Sequence, residues 1–158
     1  MANLPAMTEN KVSVLIPMYN GDQYIVAAIE SVLRQSYSNI ELIIVDDGST
    51  DNSVNIMQQY LSADTRIQLI QNENNLGLVG NWNRCVELAT GEWIKFLFQD
   101  DLLEPSCIER MVEIGDRTRC PFVASRRDFI FEDVAQSTIN NQQSTGINSI
   151  YRISRLLR

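Results

Sequence analysis

Histidine is absent from the 158 residues. The usual neutral-pH acid/base and the commonest metal ligand go with it, so proton transfer falls to carboxylates, tyrosine, lysine or bound water, and histidine-based hydrolase triads are excluded. Cysteine is scarce: Cys85, Cys107 and Cys120 are an odd number whose spacing matches neither a disulfide framework nor a zinc pattern, which points to a reducing, cytoplasmic setting. No apolar run approaches the roughly 20 residues of a spanning helix. Residues 1–11 also lack the positive start and apolar core of a signal peptide, so the chain is expected to be soluble and unexported. Positive charge is short as well, with 13 Lys and Arg against 20 Asp and Glu and a net charge of −7. That sign disfavours nucleic acid as a partner. There is no internal repeat.

What is present is ordinary globular composition, 44% hydrophobic and 21% charged. The length suffices for one domain that buries roughly 70% of its unfolded surface. Charge is uneven along it: through Asp116 there are 6 basic residues against 17 acidic, whereas residues 117–158 hold 7 arginines against 3 acids. Within this last segment, residues 136–149 are rich in Gln, Asn, Ser and Thr and read as a loop. Beyond them, Ile147, Ile150, Ser154 and Leu157 fall along one helical face with Arg152, Arg155 and Arg158 largely off it, the pattern of a short basic amphipathic helix. Such a helix would cover the protein's own core, a second copy in a homodimer, or an anionic membrane surface. The division expected is a tail at 1–10, a core at 11–135, and the polar loop and basic helix at 136–158.

Residues 12–16 (VSVLI) and 41–45 (ELIIV) are short β-branched runs, the first stopped by Pro17 and the second by Asp46 and Asp47. Between them, residues 23–35 place Ile25, Ala28, Ile29, Val32 and Leu33 at helical spacing, which makes a βαβ unit. The order repeats: a helix capped by Thr50 and Asp51, a strand at 67–71, a helix at 79–89, and a strand at 93–98. Alternation of this kind implies a mostly parallel sheet flanked by helices, with ligands at the carboxyl ends of its strands. Those ends are where the polar residues gather: PMYNGD, DDGSTDNS and QDDLLEP bring Asp46, Asp47, Asp51, Asp100 and Asp101 toward one rim.

Asp100 and Asp101 would repel each other unless a positive group sits beside them. Mg²⁺ or Mn²⁺, held by one or two carboxylates plus substrate phosphates, suits so sparse a pair. The plainer reading is a strand end followed by an Asp cap for a helix at 102–112 with Pro105 in its first turn. Asp46 and Asp47 admit the same two readings, with Gly48 to Asp51 supplying a turn and a cap. Tyr19 and Asn20 before Gly21 read alone as a turn, and Trp82 on the third helix as core.

In order, VSVLIPMYNGDQYIVAAIESVLRQSYSNIELIIVDDGSTDNS and NENNLGLVGNWNRCVELATGEWIKFLFQDD resemble the nucleotide-sugar-binding half of glycosyltransferase family 2, inverting enzymes of Rossmann-like GT-A fold, over about residues 10–115. The resemblance implies that Pro17, Tyr19 and Asn20 lie along the nucleoside and that Asp46 and Asp47 bond the base or ribose. It implies that Asp100 contacts ribose, and that Asp100 and Asp101 hold Mn²⁺ or Mg²⁺ on the diphosphate. The chain departs from the family pattern twice. Phe98 stands at the first acid of D-x-D-D. NWNRC stands for ARN-x-G, with Trp82 in place of the Arg and Cys85 in place of the Gly.

The function so implied is metal-dependent transfer of a sugar, with inversion, from a nucleoside-diphosphate donor, UDP-linked above all, to a glycan, lipid or other acceptor. The work would be done in the cytoplasm or at the inner face of the membrane. The family's general base is commonly a carboxylate, and Glu132 and Asp133, after a strand expected at 129–131, are the weak candidates for it. Family catalytic domains extend further, so the chain is expected to be truncated on its C-terminal side. The competing expectation is a donor-binding module that transfers nothing.

Overall fold

The computed structural model describes residues 10–127 and 146–152. Its elements run β1 (Val12–Met18), α1 (Ile25–Leu33), β2 (Ile40–Asp46), α2 (Ser53–Ala63), β3 (Ile67–Gln71), α3 (Gly77–Leu88), β4 (Trp93–Phe96), α4 (Cys107–Thr118), β5 (Phe122–Arg127) and β6 (Gly146–Arg152). They form one sheet in the order β3-β2-β1-β4-β6-β5. The first four strands pair in parallel, and β6 runs antiparallel to both β4 and β5.

Every residue of β1 and β2 is buried, which is why both read as nearly continuous apolar runs: a parallel strand covered on two faces has no solvent side to show. The pleat then sorts them. Val12, Val14, Ile16 and Met18 join Leu42 and Ile44 in a large core under α1, α2 and α4, while Leu15, Ile43, Val45 and Ile94 meet Cys85 of α3 on the opposite face. Helix α1 presents Ile25, Ala28, Ile29 and Val32 to the first core, the i, i+3, i+4, i+7 stripe its spacing predicts.

Two elements differ from expectation. The helix expected at 102–112 begins at Cys107, because the chain before it is tied to α1 and the residues just after it: Leu103 N–H donates to Ser31 Oγ (3.1 Å), Ser36 N–H to the Pro105 carbonyl (2.8 Å) and Gln35 Nε2 to the Glu104 carbonyl (2.8 Å). The basic amphipathic helix is overturned over residues 146–152, which form β6. Its backbone fills the gap between β4 and β5, and sheet hydrogen bonds on both sides outweigh the local helical spacing. The helical face offered to a second copy or a membrane is therefore not formed there. The strand expected at 129–131, with Glu132 and Asp133, lies outside the described residues. So does most of the polar stretch, whose last residues, 146–149, belong to β6.

At the amino ends of the strands a buried polar group ties the sheet together. Glu41 accepts hydrogen bonds from Ser13 Oγ (2.5 Å), Thr90 N (2.8 Å) and Thr90 Oγ1 (2.9 Å), and pairs with Lys11 Nζ at 2.6 Å. Among the described residues no helix is long and apolar enough to cross a membrane.

Candidate functional site

The carboxyl ends of β1, β2 and β3 are level, with Met18 beside Asp46 and Asp46 beside Gln71, so the three following loops and the turn after β4 rise from one edge. The first two loops are stitched to each other. Asn20, with a left-handed φ of 48°, receives Thr50 N–H on its Oδ1 (2.8 Å) and donates its own N–H to Ser49 Oγ (2.9 Å). Gly21 N–H donates to Ser53 Oγ (2.9 Å) and Asp22 N–H to Asp51 Oδ2 (3.0 Å). Gln99 clamps the first loop from the other side: its Oε1 accepts Tyr19 N–H (3.0 Å) and its Nε2 donates to the Tyr19 carbonyl (3.1 Å). A Cβ at Gly21 would lie 2.5 Å from Gln99 Oε1, so any larger residue there would have to displace this clamp.

Asp46 and Asp47 have different surroundings. Both are buried, but Asp46 turns back on its own loop, accepting Ser49 N–H at 3.2 Å. Asp47 is gripped by the third loop: Oδ1 accepts Leu76 N–H and Asn72 Nδ2, each at 2.8 Å, and its carbonyl accepts Asn75 Nδ2 at 2.9 Å. Asn81 completes the network, receiving Asn72 Nδ2 (3.1 Å) and donating to the Val45 carbonyl (3.0 Å). Oδ2 of Asp47 takes no hydrogen bond among the described residues. Asp51 is occupied by Ser53 and Asp22. Burial pushes its carboxyl up, and those hydrogen bonds hold it below the usual carboxylate range.

A cleft of about 470 Å³ opens between these loops, lined by Pro17, Tyr19 and Asp47 on one side, Gly77, Asn81 and Trp82 on the second, and Phe98, Gln99 and Asp100 on the third. Of the residues singled out in the sequence, Pro17, Tyr19, Asp47 and Asp100 line it. Asn20, Asp46 and Asp51 shape the loops behind it, and Asp101 follows Asp100 in the turn closed by its own N–H on the Phe98 carbonyl (3.0 Å). Trp82, read as core, is half-buried on the cleft wall and stacks against Phe96 and Phe98. Asn72, Asn75, Asn81 and Gln99 were missed. The first two belong to NENN, a polar run directly after a strand of a parallel sheet, and the rule that ligands meet strand carboxyl ends singles out that run.

Among the described residues no three acidic or cysteine side chains cluster as a self-sufficient metal cage. Asp100, exposed on the cleft, and Asp101, half-buried next to it, are a donor set that fits a hard divalent cation completed by phosphate oxygens and water. Burial pushes the Cys85 thiol up to about 12, so Cys85 is no rival nucleophile at neutral pH.

The family model described as glycosyl transferase family 2 matches residues 13–157. The chain is 33% identical over 150 residues to the glycosyltransferase GlyG of Streptococcus pneumoniae serotype 4, a match covering 84% of this chain and 50% of GlyG. It is 36% identical over 147 residues to EpsH of Bacillus subtilis, covering 89% of this chain and 42% of EpsH. Among solved structures it resembles S. aureus TarS 1-349 in complex with UDP, with a TM-score of 0.74 and 25% identity over 90% of this chain and 46% of that one. The chain thus spans about half the length of the curated relatives it matches.

Proposed function

Because the chain belongs to glycosyl transferase family 2, we propose that its cleft takes a nucleoside-diphosphate sugar, UDP-linked, and that the protein transfers the sugar with inversion to an acceptor hydroxyl. One observation carries the reading: the cleft joins Asp47, which has one carboxylate oxygen pinned and the other without a hydrogen bond among the described residues, to Asp100 on a separate strand end. A nucleoside offers N–H and O–H donors to the free oxygen of Asp47, and its diphosphate needs the positive charge that Asp100 and Asp101 would gather. Tyr19 and Pro17 supply apolar surface beside them. The UDP complex of TarS, a protein of this fold, supports uridine as the nucleoside.

In the transfer, the acceptor oxygen bonds to the anomeric carbon from the face opposite the leaving group, the carbon–oxygen bond to the diphosphate breaks, and the acceptor proton passes to a carboxylate base. Mn²⁺ or Mg²⁺ bound to Asp100 and Asp101 would neutralise charge developing on the diphosphate. Glu132 and Asp133 are proposed for the base, a positioned base being worth about 100- to 10,000-fold.

The test is a thermal-shift titration with UDP, with and without Mn²⁺, followed by assay for transfer. UDP is expected to raise the melting temperature and Mn²⁺ to raise it further. Asp100→Asn and Asp101→Asn should each remove the metal-dependent increment while leaving the unliganded melting temperature in place. A metal increment unchanged in both variants overturns the metal assignment, and donor binding without transfer favours the donor-binding module.

A further inference from the structure

This inference rests on the donor-site reading above and concerns the wall of the cleft that carries no charge. Trp82 projects from α3 and Phe98 follows β4, and their ring centroids lie 5.2 Å apart with the planes inclined by 34°. Phe96 backs the same indole at 5.6 Å. Trp82 and Phe98 both line the cleft, beside Asp47, Asn81 and Asp100. The indole Nε1 is buried and has no hydrogen-bond partner among the described residues. A buried N–H left unpaired is rare because nothing replaces its lost hydration, and a phenylalanine in this place would carry no such penalty. What the indole adds over a phenyl ring is a wider flat face.

These are also the positions where the chain departs from its family's sequence pattern, with Trp for Arg and Phe for Asp. The two side chains touch here, so an uncharged pair of rings fills this part of the cleft wall. A nucleobase presents a flat apolar face and a polar edge. The cleft offers a flat apolar wall and, in Asp47, a fixed acceptor.

We propose that Trp82 and Phe98 act together as an aromatic wall that packs on the planar base of the nucleoside diphosphate, so that this cleft holds its nucleoside by apolar contact where an Arg–Asp pair would hold it by charge. The two residues determine nucleoside affinity as a unit. Changing either alone to its charged counterpart strands one charge against a ring, whereas changing both restores a matched pair. The second tryptophan, Trp93, is fully buried in the core on the other face of the sheet, so ligand-dependent changes in tryptophan emission report on Trp82.

Metal-free UDP is titrated into the 158-residue chain, with calorimetry and tryptophan fluorescence read together. UDP should quench the wild-type emission. Trp82→Phe should abolish the quenching and weaken binding while melting within a few degrees of the wild type. Trp82→Ala should weaken UDP by roughly five- to 150-fold, the span of base–aromatic stacking. Trp82→Arg and Phe98→Asp should each weaken it, and the double variant should bind more tightly than the product of the single losses predicts. A purely structural role would lower the melting temperature and leave the dissociation constant of the folded protein unchanged. UDP binding that stays within twofold in Trp82→Ala, quenching that persists in Trp82→Phe, or strictly additive single losses overturn the wall and leave the donor-site reading standing. A wild type that binds no UDP overturns both.

Discussion

At the scale of single residues, the site depends on how carboxylate oxygens are shared out. Asp47 is held by two donors on one oxygen, so its orientation is set before any ligand arrives, whereas neighbouring Asp46 holds only the turn that follows it. Asp47→Asn keeps the size and can still accept from Leu76 and Asn72, but it puts an amide donor where the unbonded oxygen stood. UDP binding is expected to weaken by about 1.5 to 3 kcal/mol, the worth of a hydrogen bond to a charged group. The melting temperature of the unliganded protein should change little, and equal calorimetric affinities for variant and wild type would refute the role. Gln99 shows a polar residue serving as backbone: its carboxamide pairs with both the N–H and the carbonyl of Tyr19, extending the sheet edge by one artificial rung.

At the scale of elements, the helices are placed by what fits beneath them. Gly115 sits inside α4, where glycine normally costs up to about 1 kcal/mol relative to alanine. Here a Cβ would meet the Trp93 ring, 2.6 Å from Cζ2 and nearer still to Cη2, and Trp93 is wholly buried with nowhere to yield. Overpacking a core typically costs about 1 to 3 kcal/mol, which exceeds the gain in helix propensity. Gly115→Ala should therefore lower the urea midpoint, and a raised midpoint would show that α4 shifts freely. The same reasoning explains the late start of α4. Residues 103–105 satisfy their backbone groups on the end of α1, so the helix begins only where that contact stops.

At the scale of the whole molecule, the sheet has polar groups at both ends with opposite tasks. Among the described residues the carboxyl end leaves an acidic oxygen of Asp47 open, while the amino end engages Glu41 with Lys11, Ser13 and Thr90. Burial pushes the Glu41 carboxyl up, but the bonds from those three partners outweigh it and hold it below the ordinary carboxylate range. A carboxyl whose pKa falls on folding stabilises the native state above its unfolded pKa, about 4.3. That contribution is lost as pH falls through the lower folded value. Glu41→Gln should cost roughly 1 to 3 kcal/mol at pH 7 in urea denaturation. The gap to the wild type should narrow as the pH is lowered through that range, and a gap independent of pH would refute the assignment.

The sequence alone determined the alternation of strands and helices, because two-sided burial leaves nearly continuous apolar runs such as VSVLI and ELIIV and one-sided burial leaves the stripe of α1. It also determined which ends of those strands carry polar residues, and the family pattern in them. Only the tertiary structure decided which polar residues face the cleft. Asp46 and Asp47 are neighbours with the same chemistry, and loops distant in sequence set one inward and the other toward its own turn. Trp82 and Phe98 carry no mark in the sequence that they touch, since the contact brings together a helix residue and a residue after β4 that lie 16 positions apart. The helical spacing read over residues 147–158 gives way to strand over 147–152 for the same reason. Residues 146–151 pair with β5 and residues 150–152 also with β4, and such long-range pairing leaves no periodicity to read.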